Sequence, residues 1–351
     1  MKTMKFSKAI NEAIDIAMEK DKSLICYGLG VTDPKGVFGT TIGLEKTHGS
    51  ERVFDIPTSE NAMTGVAIGA SLNGVRSVFT HQRLDFFLLA MDQLINSAAK
   101  WHYMFGSQIS VPITIRLIIG RGWGQGPTHS QNLQAWFSHI PGLKVVMPSN
   151  ARNAKGLLLS SIFDPNPVIF LEHRWLHESE SEVPEGEFTI PLGESKVHTG
   201  KDITIVSMSY MTVEGLLAKD FLEKHYNINC EIIDLRTISP LDVDTIYRSV
   251  SKTKKLLVLD TGYTSGSVAG EIITKVCMEK HGDLDSPPAR LAMPDVPEPT
   301  SFGLTKDFHI TAKNVVEKVL AMFKIQPEDN LKSLNRDENH DVPGDWFKGP
   351  F

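Results

Sequence analysis

The stretch Phe54-Asp-Ile-Pro-Thr-Ser-Glu-Asn-Ala-Met63 sets a carboxylate, Glu60, where an extended segment enters a helix of small residues spanning 65–70. A carboxylate at that place favours the helix N-terminus, so Ser59 and Glu60 can serve simply as a cap. The glycines and alanines behind them also let another chain or a ligand come close. A second candidate is Gly120-Arg-Gly-Trp-Gly-Gln-Gly-Pro-Thr-His-Ser130, which follows an apolar strand and precedes a helix, the position of a ligand loop in an open α/β sheet. It does not spell the dinucleotide fingerprint, because Gln125 stands where the last glycine belongs, and no phosphate-loop lysine follows. His129 ends this loop, where an imidazole can act as acid, base or hydrogen-bond donor, or merely pack. His81 and Arg83 are expected just after a strand, beside Phe86 and Phe87, whose rings on their own read as core. No His, Cys, Asp and Glu cluster has metal-ligand spacing, and no Gly-x-Ser-x-Gly elbow occurs.

The elements that must position these residues alternate between helical and strand periods. Helices are expected at residues 8–20, 60–72, 85–103, after 129 and at 151–163. Strands are expected at 23–28, 75–79, 113–119, 143–147 and 168–171. Such alternation implies a parallel sheet covered by helices. From 173 to about 201 the pattern lapses into Glu178-Ser-Glu-Ser-Glu-Val-Pro184, the composition of a solvated connection. Alternation resumes with strands at 203–207, 230–235, 256–259 and 290–291, and helices at 213–224, 241–252, 268–278 and 312–323. We therefore expect an α/β chain of two domains, residues 1–185 and 186–324, followed by a polar segment 325–351. That last segment carries Trp346, Phe347 and Phe351, so it is either a mobile tail or an arm docked on a neighbour.

The length of 351 residues suits two hydrophobic cores, and 41% hydrophobic with 22% charged residues is ordinary globular composition. A net charge of -6 gives no cationic surface for nucleic acid or acidic membrane. Cys26, Cys230 and Cys277 are widely spaced in apolar stretches, the pattern of reduced thiols. With no signal-peptide pattern at the N-terminus and no apolar run of membrane length, the expectation is a cytoplasmic protein. From the residues alone this is an enzyme-like α/β protein.

Asp55 to Glu60, Thr128-His-Ser-Gln-Asn-Leu-Gln-Ala-Trp136 and His139-Ile-Pro-Gly-Leu-Lys-Val-Val-Met-Pro148 resemble the beta subunits of thiamine-diphosphate-dependent pyruvate, branched-chain and acetoin dehydrogenases. So do Asp164-Pro-Asn-Pro-Val-Ile-Phe-Leu-Glu172 and Ile232-Ile-Asp-Leu-Arg-Thr-Ile-Ser-Pro-Leu-Asp242, and the resemblance runs from about residue 8 to 323. It implies a transketolase-like pyrimidine-binding domain followed by a smaller α/β transketolase C-terminal domain. Within the family's pattern Glu60 matches the glutamate that hydrogen-bonds the aminopyrimidine ring of thiamine diphosphate and relays the proton that activates the cofactor. Phe86 matches the aromatic residue stacked on that ring, Gln82 another ring-contacting side chain, and His129 a histidine that assists acyl transfer to a lipoyl group. Backbone carbonyls of Ile113, Ser161, Asp164 and Asn166 match a structural potassium site of some members.

The family holds magnesium and diphosphate through a Gly-Asp-Gly motif with a later Asn, and this chain has no Gly-Asp-Gly. The resemblance thus implies that an alpha subunit carries the Mg2+ and diphosphate, in an alpha2beta2 heterotetramer with cofactor at each interface and a lipoyl acyltransferase as acceptor. Two departures bear on substrate and acceptor. Leu29, in Gly28-Leu-Gly-Val31, stands where relatives place an acidic residue near the cofactor. Leu259-Asp-Thr-Gly-Tyr263 replaces the usual His-Glu-containing version. The alternatives are a stand-alone decarboxylase or carboligase subunit that passes its carbanion to an aldehyde, and a noncatalytic scaffold subunit, against which intact Glu60, Phe86 and His129 argue.

Overall fold

The computed structural model describes residues 1–122, 124–336, 340–344, 346, 347 and 349. Its strands are β1 (Lys2–Lys5), β2 (Ile25–Gly28), β3 (Val53–Phe54), β4 (Ser77–His81), β5 (Ile113–Ile119), β6 (Lys144–Val146) and β7 (Val168–His173). They continue with β8 (Glu180–Val183), β9 (Lys196–His198), β10 (Ile203–Ser207), β11 (Cys230–Asp234), β12 (Thr237–Ser239), β13 (Leu256–Tyr263) and β14 (Ala289–Met293). A seven-stranded sheet runs β12-β6-β7-β5-β4-β2-β3, parallel except for β12. A five-stranded sheet runs β14-β13-β10-β11-β9, parallel except for the edge strand β9. Two mostly parallel sheets flanked by helices make the α/β architecture that the sequence resemblance implies.

The strands read as unbroken apolar runs because both faces of each sheet are covered. Alternate residues of one strand fall into different cores: Cys26, Val78, Ile118 and Phe170 join one cluster, and Tyr27, Phe79, Ile119 and Leu171 the other. The same split continues in the second sheet, with Ile205, Ile232 and Leu257 on one side and Val206, Ile233 and Val258 on the other. Both apolar layers therefore extend through the two sheets.

The helices at Glu60–Leu72 and Ala312–Phe323 and the strands β5 and β10 fall where periodicity puts them. Three expectations are corrected, and one pairing has no counterpart among them. The helix expected at 85–103 is broken into an α turn Leu84–Phe87, a 3-10 turn Leu88–Ala90, a π-helical turn Gln93–Ala98 and an α turn Ala99–Met104. Hydrophobic spacing does not register a change of hydrogen-bond ladder from i−4 to i−5. Strand β4 runs two residues further than 79 and takes in His81. The acidic stretch at 178–184 contains β8, which pairs antiparallel with β1 at the opposite end of the sequence, so it is no simple solvated connection. Finally, β12 leaves the second half of the chain to pair with β6 in the first sheet, a long-range pairing with no local signal.

The segment after Phe323 docks on this chain itself, among the described residues. Leu331 and Phe347 are buried in the core, the Trp346 Nε1 donates to the Trp175 carbonyl at 3.1 Å, and Arg336 pairs with Glu214 at 2.7 Å. Cys26 and Cys230 are buried and Cys277 half-buried, all as free thiols. Burial pushes the Cys26 thiol up to about 11 and the Cys230 thiol up to about 12, so neither is a nucleophile at neutral pH. No helix among the described residues is long and apolar enough to cross a membrane.

Candidate functional site

In the first sheet the chain passes from β2 outward to β3, then crosses back over β2 to β4 and on to β5. The connections leaving β2 and β4 thus diverge, which opens a crevice at the carboxyl ends of these two strands, the place where open α/β sheets bind ligands. The segments that emerge there are Gly28 to Val31 after β2, the turn after His81, and the glycine loop after β5. Close approach at the crevice is enforced by glycine: a Cβ on Gly28 would fall 2.0 Å from the Thr80 carbonyl oxygen, and one on Gly30 2.4 Å from Nε2 of Gln82. Gln82 therefore packs against the turn that carries Leu29. Leu29 is half-buried against the apolar cluster to which Tyr27 and Phe79 belong, an apolar side chain where the resemblance implies a charge.

Phe86 is half-exposed on the short helix Leu84–Phe87, and its ring meets His129 edge-on, 5.3 Å between centroids at 88°. The structure thus brings together two of the residues singled out from the sequence, although 43 positions separate them. His129 is exposed, its Nδ1 3.1 Å from the Thr128 hydroxyl. The glycine loop is tied to the Leu84–Phe87 turn twice more. Arg83 donates to the Gly120 carbonyl at 2.8 Å and to Oε1 of Gln125, and Gln131 donates to Asp85 at 2.8 Å.

Glu60 is the first residue of the Glu60–Leu72 helix and is 5% exposed. Its backbone carbonyl accepts from Thr64, but among the described residues no side-chain or backbone donor reaches its carboxylate. The carboxylate stands at the helix N-terminus, which favours its charge. The exposed face of the same helix presents Ala62, Val66 and Gly69, with Val66 57% exposed, a stripe of small side chains open to close approach.

His81 takes no part in this edge. It is buried within β4 between the rings of Phe79 and Phe87, and burial pushes its imidazole down to about 3, so it is a neutral core residue. Beneath the crevice, β4, β5 and β7 are locked by Arg116, which donates twice to Glu172 (2.6 and 2.9 Å) and at 3.2 Å to Thr80. Burial raises the Glu172 carboxyl, but Arg116 and His177 outweigh it and hold it below its ordinary value. Breaking such a pair on one side costs about 3–5 kcal/mol.

The proposed potassium carbonyls lie on β5, in the last turn of the Ala151–Ile162 helix and in the turn that follows it. There Arg76 donates to the Ile162 and Asp164 carbonyls at 2.6 and 2.8 Å, and the Ser161 carbonyl accepts from the Asp164 N–H at 3.2 Å. Lys144 pairs with the Asp164 carboxylate. Two side-chain cations already serve this turn.

Some participants carried no usable signal in the sequence. Arg121 was visible only as part of the glycine loop, yet it is completely buried and reaches the Thr300 carbonyl at 3.3 Å and Asp341 at 3.4 Å. Asp260 is equally buried and accepts from Gln134 at 2.6 Å and from the Ala269 N–H at 3.0 Å, which ties β13 to the segment following His129. The Asp260 departure noted in the sequence is therefore an anchor between the two sheets. Burial pushes its carboxyl up despite these donors.

Residues 2–178 match the transketolase pyrimidine-binding domain and residues 193–315 the transketolase C-terminal domain. The chain is 41% identical over 324 residues to the pyruvate dehydrogenase E1 component subunit beta of Rhizobium meliloti (strain 1021), covering 92% of this chain and 70% of that one. It belongs to the transketolase-like beta subunits of 2-oxo acid dehydrogenases. Within this family it is 42% identical over 304 residues to the acetoin:2,6-dichlorophenolindophenol oxidoreductase subunit beta of Cupriavidus necator, covering 84% of this chain and 89% of that one. A solved split-gene transketolase, an inactive beta4 tetramer, superposes with a TM-score of 0.72 over 92% of this chain and 99% of its own at 20% identity, a likeness of fold. The chain is thus the beta component of a thiamine-diphosphate-dependent enzyme whose family members work with an alpha subunit.

Proposed function

We propose that this beta subunit supplies the aminopyrimidine side of a thiamine diphosphate site, that an alpha subunit supplies the Mg2+ and diphosphate side, and that the pair decarboxylates a 2-oxo acid and passes the acyl group to lipoamide. The observation that carries this reading is the placement of Glu60, a residue 5% exposed whose carboxylate stands at a helix N-terminus beside an open face of small side chains. A ring nitrogen delivered across that face gives the Glu60 carboxylate a hydrogen-bond partner, and a carboxyl so placed can hold and release a proton. Phe86 offers a half-exposed ring for stacking, Leu29 and Gln82 line the crevice, and His129 stands at its exposed mouth against Phe86. Thiamine diphosphate, when bound, supplies the electron sink that makes decarboxylation feasible.

Potassium on the carbonyls of Ile113, Ser161, Asp164 and Asn166 belongs to the proposal only as a further occupant of a turn that Arg76 and Lys144 already serve. No step passes through it. Relatives named for pyruvate and for acetoin stand at nearly equal identity, 41% and 42%, so candidate substrates in any assay should include both 2-oxo acids and acetoin.

The two-subunit reading is tested by calorimetry. The isolated chain should show no tight Mg2+-dependent binding of thiamine diphosphate, since it has no Gly-Asp-Gly for the anionic end. Adding the alpha subunit should restore binding, and tight binding by the chain alone refutes the reading.

His129 should matter more for delivering the intermediate than for making it. In the reconstituted complex, His129→Ala should reduce acyl transfer to a lipoyl domain at least about tenfold, about 1.4 kcal/mol. Decarboxylation followed with an artificial electron acceptor should change little. Equal losses in both assays would point to general positioning instead.

A further inference from the structure

The glycine loop that carries His129 has glycine at 120, 122, 124 and 126, so its backbone has little intrinsic preference and must be held from outside. Arg83 holds one side through Gly120 and Gln125. The other side is held by Arg121, which has no exposed surface and bonds the Pro299 and Thr300 carbonyls. Gly126 is pressed against the same segment, since a Cβ there would lie 2.0 Å from the Thr300 hydroxyl.

The guanidinium of Arg121 needs a counter-charge in this dry setting. Glu298 approaches it at 3.7 Å, but the same Glu298 oxygen is 3.2 Å from His309. The second carboxylate is Asp341, 5% exposed and 3.4 Å away, and it comes from the segment after the last helix, beyond residue 315 where the family match ends. Its neighbour His340 braces the same segment, with Nε2 2.7 Å from the Phe302 carbonyl and its ring 4.0 Å from the Phe302 ring. Phe347 extends the attachment, with the Arg174 guanidinium 5.3 Å from its ring.

We propose that the C-terminal arm is an intrachain strap: Asp341 completes the charge shell of Arg121, and through it fixes the conformation of the glycine loop that presents His129. Asp341 and Arg121 are positioning residues, and the effect on transfer rests on the reading of His129 given above. The strap itself can be tested without that reading.

The test uses the full chain in the reconstituted complex, with Asp341→Ala, Asp341→Asn and Asp341→Glu. Hydrogen exchange of a peptide covering the glycine loop should quicken about tenfold in the Ala and Asn variants, well beyond any change in the exchange of β10 and β11. Asp341→Glu should restore much of the protection, because charge is what the site needs. Acyl transfer should fall several-fold in step with the loss of protection, while decarboxylation with an artificial acceptor holds. Loop exchange equal to wild type in all three variants overturns the strap. So does a uniform rise in exchange across both sheets, which would make Asp341 a general stabiliser. Faster loop exchange with transfer unaffected would uphold the strap and overturn the role assigned to His129.

Discussion

Glu60→Gln is expected to leave the chain folded and able to assemble, yet to lower turnover of the reconstituted complex at least tenfold, a barrier change of about 1.4 kcal/mol or more. The amide keeps the shape of the side chain. Losing the charge at the start of the helix costs about 0.3–1 kcal/mol of stability, and the neutral group is easier to bury than the carboxylate it replaces. What the amide cannot do is release and recover a proton, which is the one service the position offers a cofactor ring. Circular dichroism and melting of the variant establish that the fold persists, and turnover then isolates the proton relay. Activity above about a tenth of wild type would sink the role assigned to Glu60. A cap alone predicts the reverse pattern, a small stability loss with activity retained.

The second large effect is acid lability. His81 and His173 are buried with imidazoles pushed down to about 3, and His177 to about 4; burial is the leading cause in each. Neighbouring charges add to it: His309, His177 and Arg83 for His173, and Arg174 and Arg116 for His177, where Glu172 works in the opposite sense. These histidines stay neutral in the fold but take up a proton in the unfolded chain below its ordinary 6.5. The unfolded state therefore binds more protons between about pH 6.5 and pH 4, and stability falls as pH falls through that window. Between pH 7 and pH 5 each histidine forfeits about 2 kcal/mol, or about 6 kcal/mol for the three together. For a chain of this length that lowers the melting temperature by roughly 8 °C. Asp234 and Asp260, whose carboxyls burial pushes up, oppose the trend, but only where carboxylates themselves titrate. Melting curves from pH 7 to pH 5 check this, and His81→Phe, which removes one titrating group within an aromatic cluster, should flatten the slope. A melting temperature that does not change over this range would show that the histidines are not held neutral.

Much of this molecule is written locally. The runs at 113–119 and 203–207 read as buried strands, because they are too short for helices and rich in β-branched residues, and they appear at those residues as β5 and β10. The helix beginning at Glu60 was legible from its turn chemistry and small-residue run, and the order of the motifs carried the family. Where sequence reading failed, the information was not local. The pairing of β1 with β8, and of β12 with β6, depends on which edges remain free once the sheet has formed, and no window of residues records that. The π-helical turn at Gln93–Ala98 keeps the same apolar side chains as a regular helix and differs only in its ladder.

By itself the sequence determined the α/β class, the strands of the two sheets other than β3, β9 and β12, the glutamate at a helix entrance and the glycine loop ending in His129, because each rests on residue types within a few positions of one another. Only the tertiary structure decided which of these face one another. It set Phe86 edge-on against His129, withdrew His81 into the core, and closed Asp341 onto Arg121 across 220 positions. Those outcomes follow from strand order and from the need of buried charges and rings for partners, wherever along the chain those partners stand.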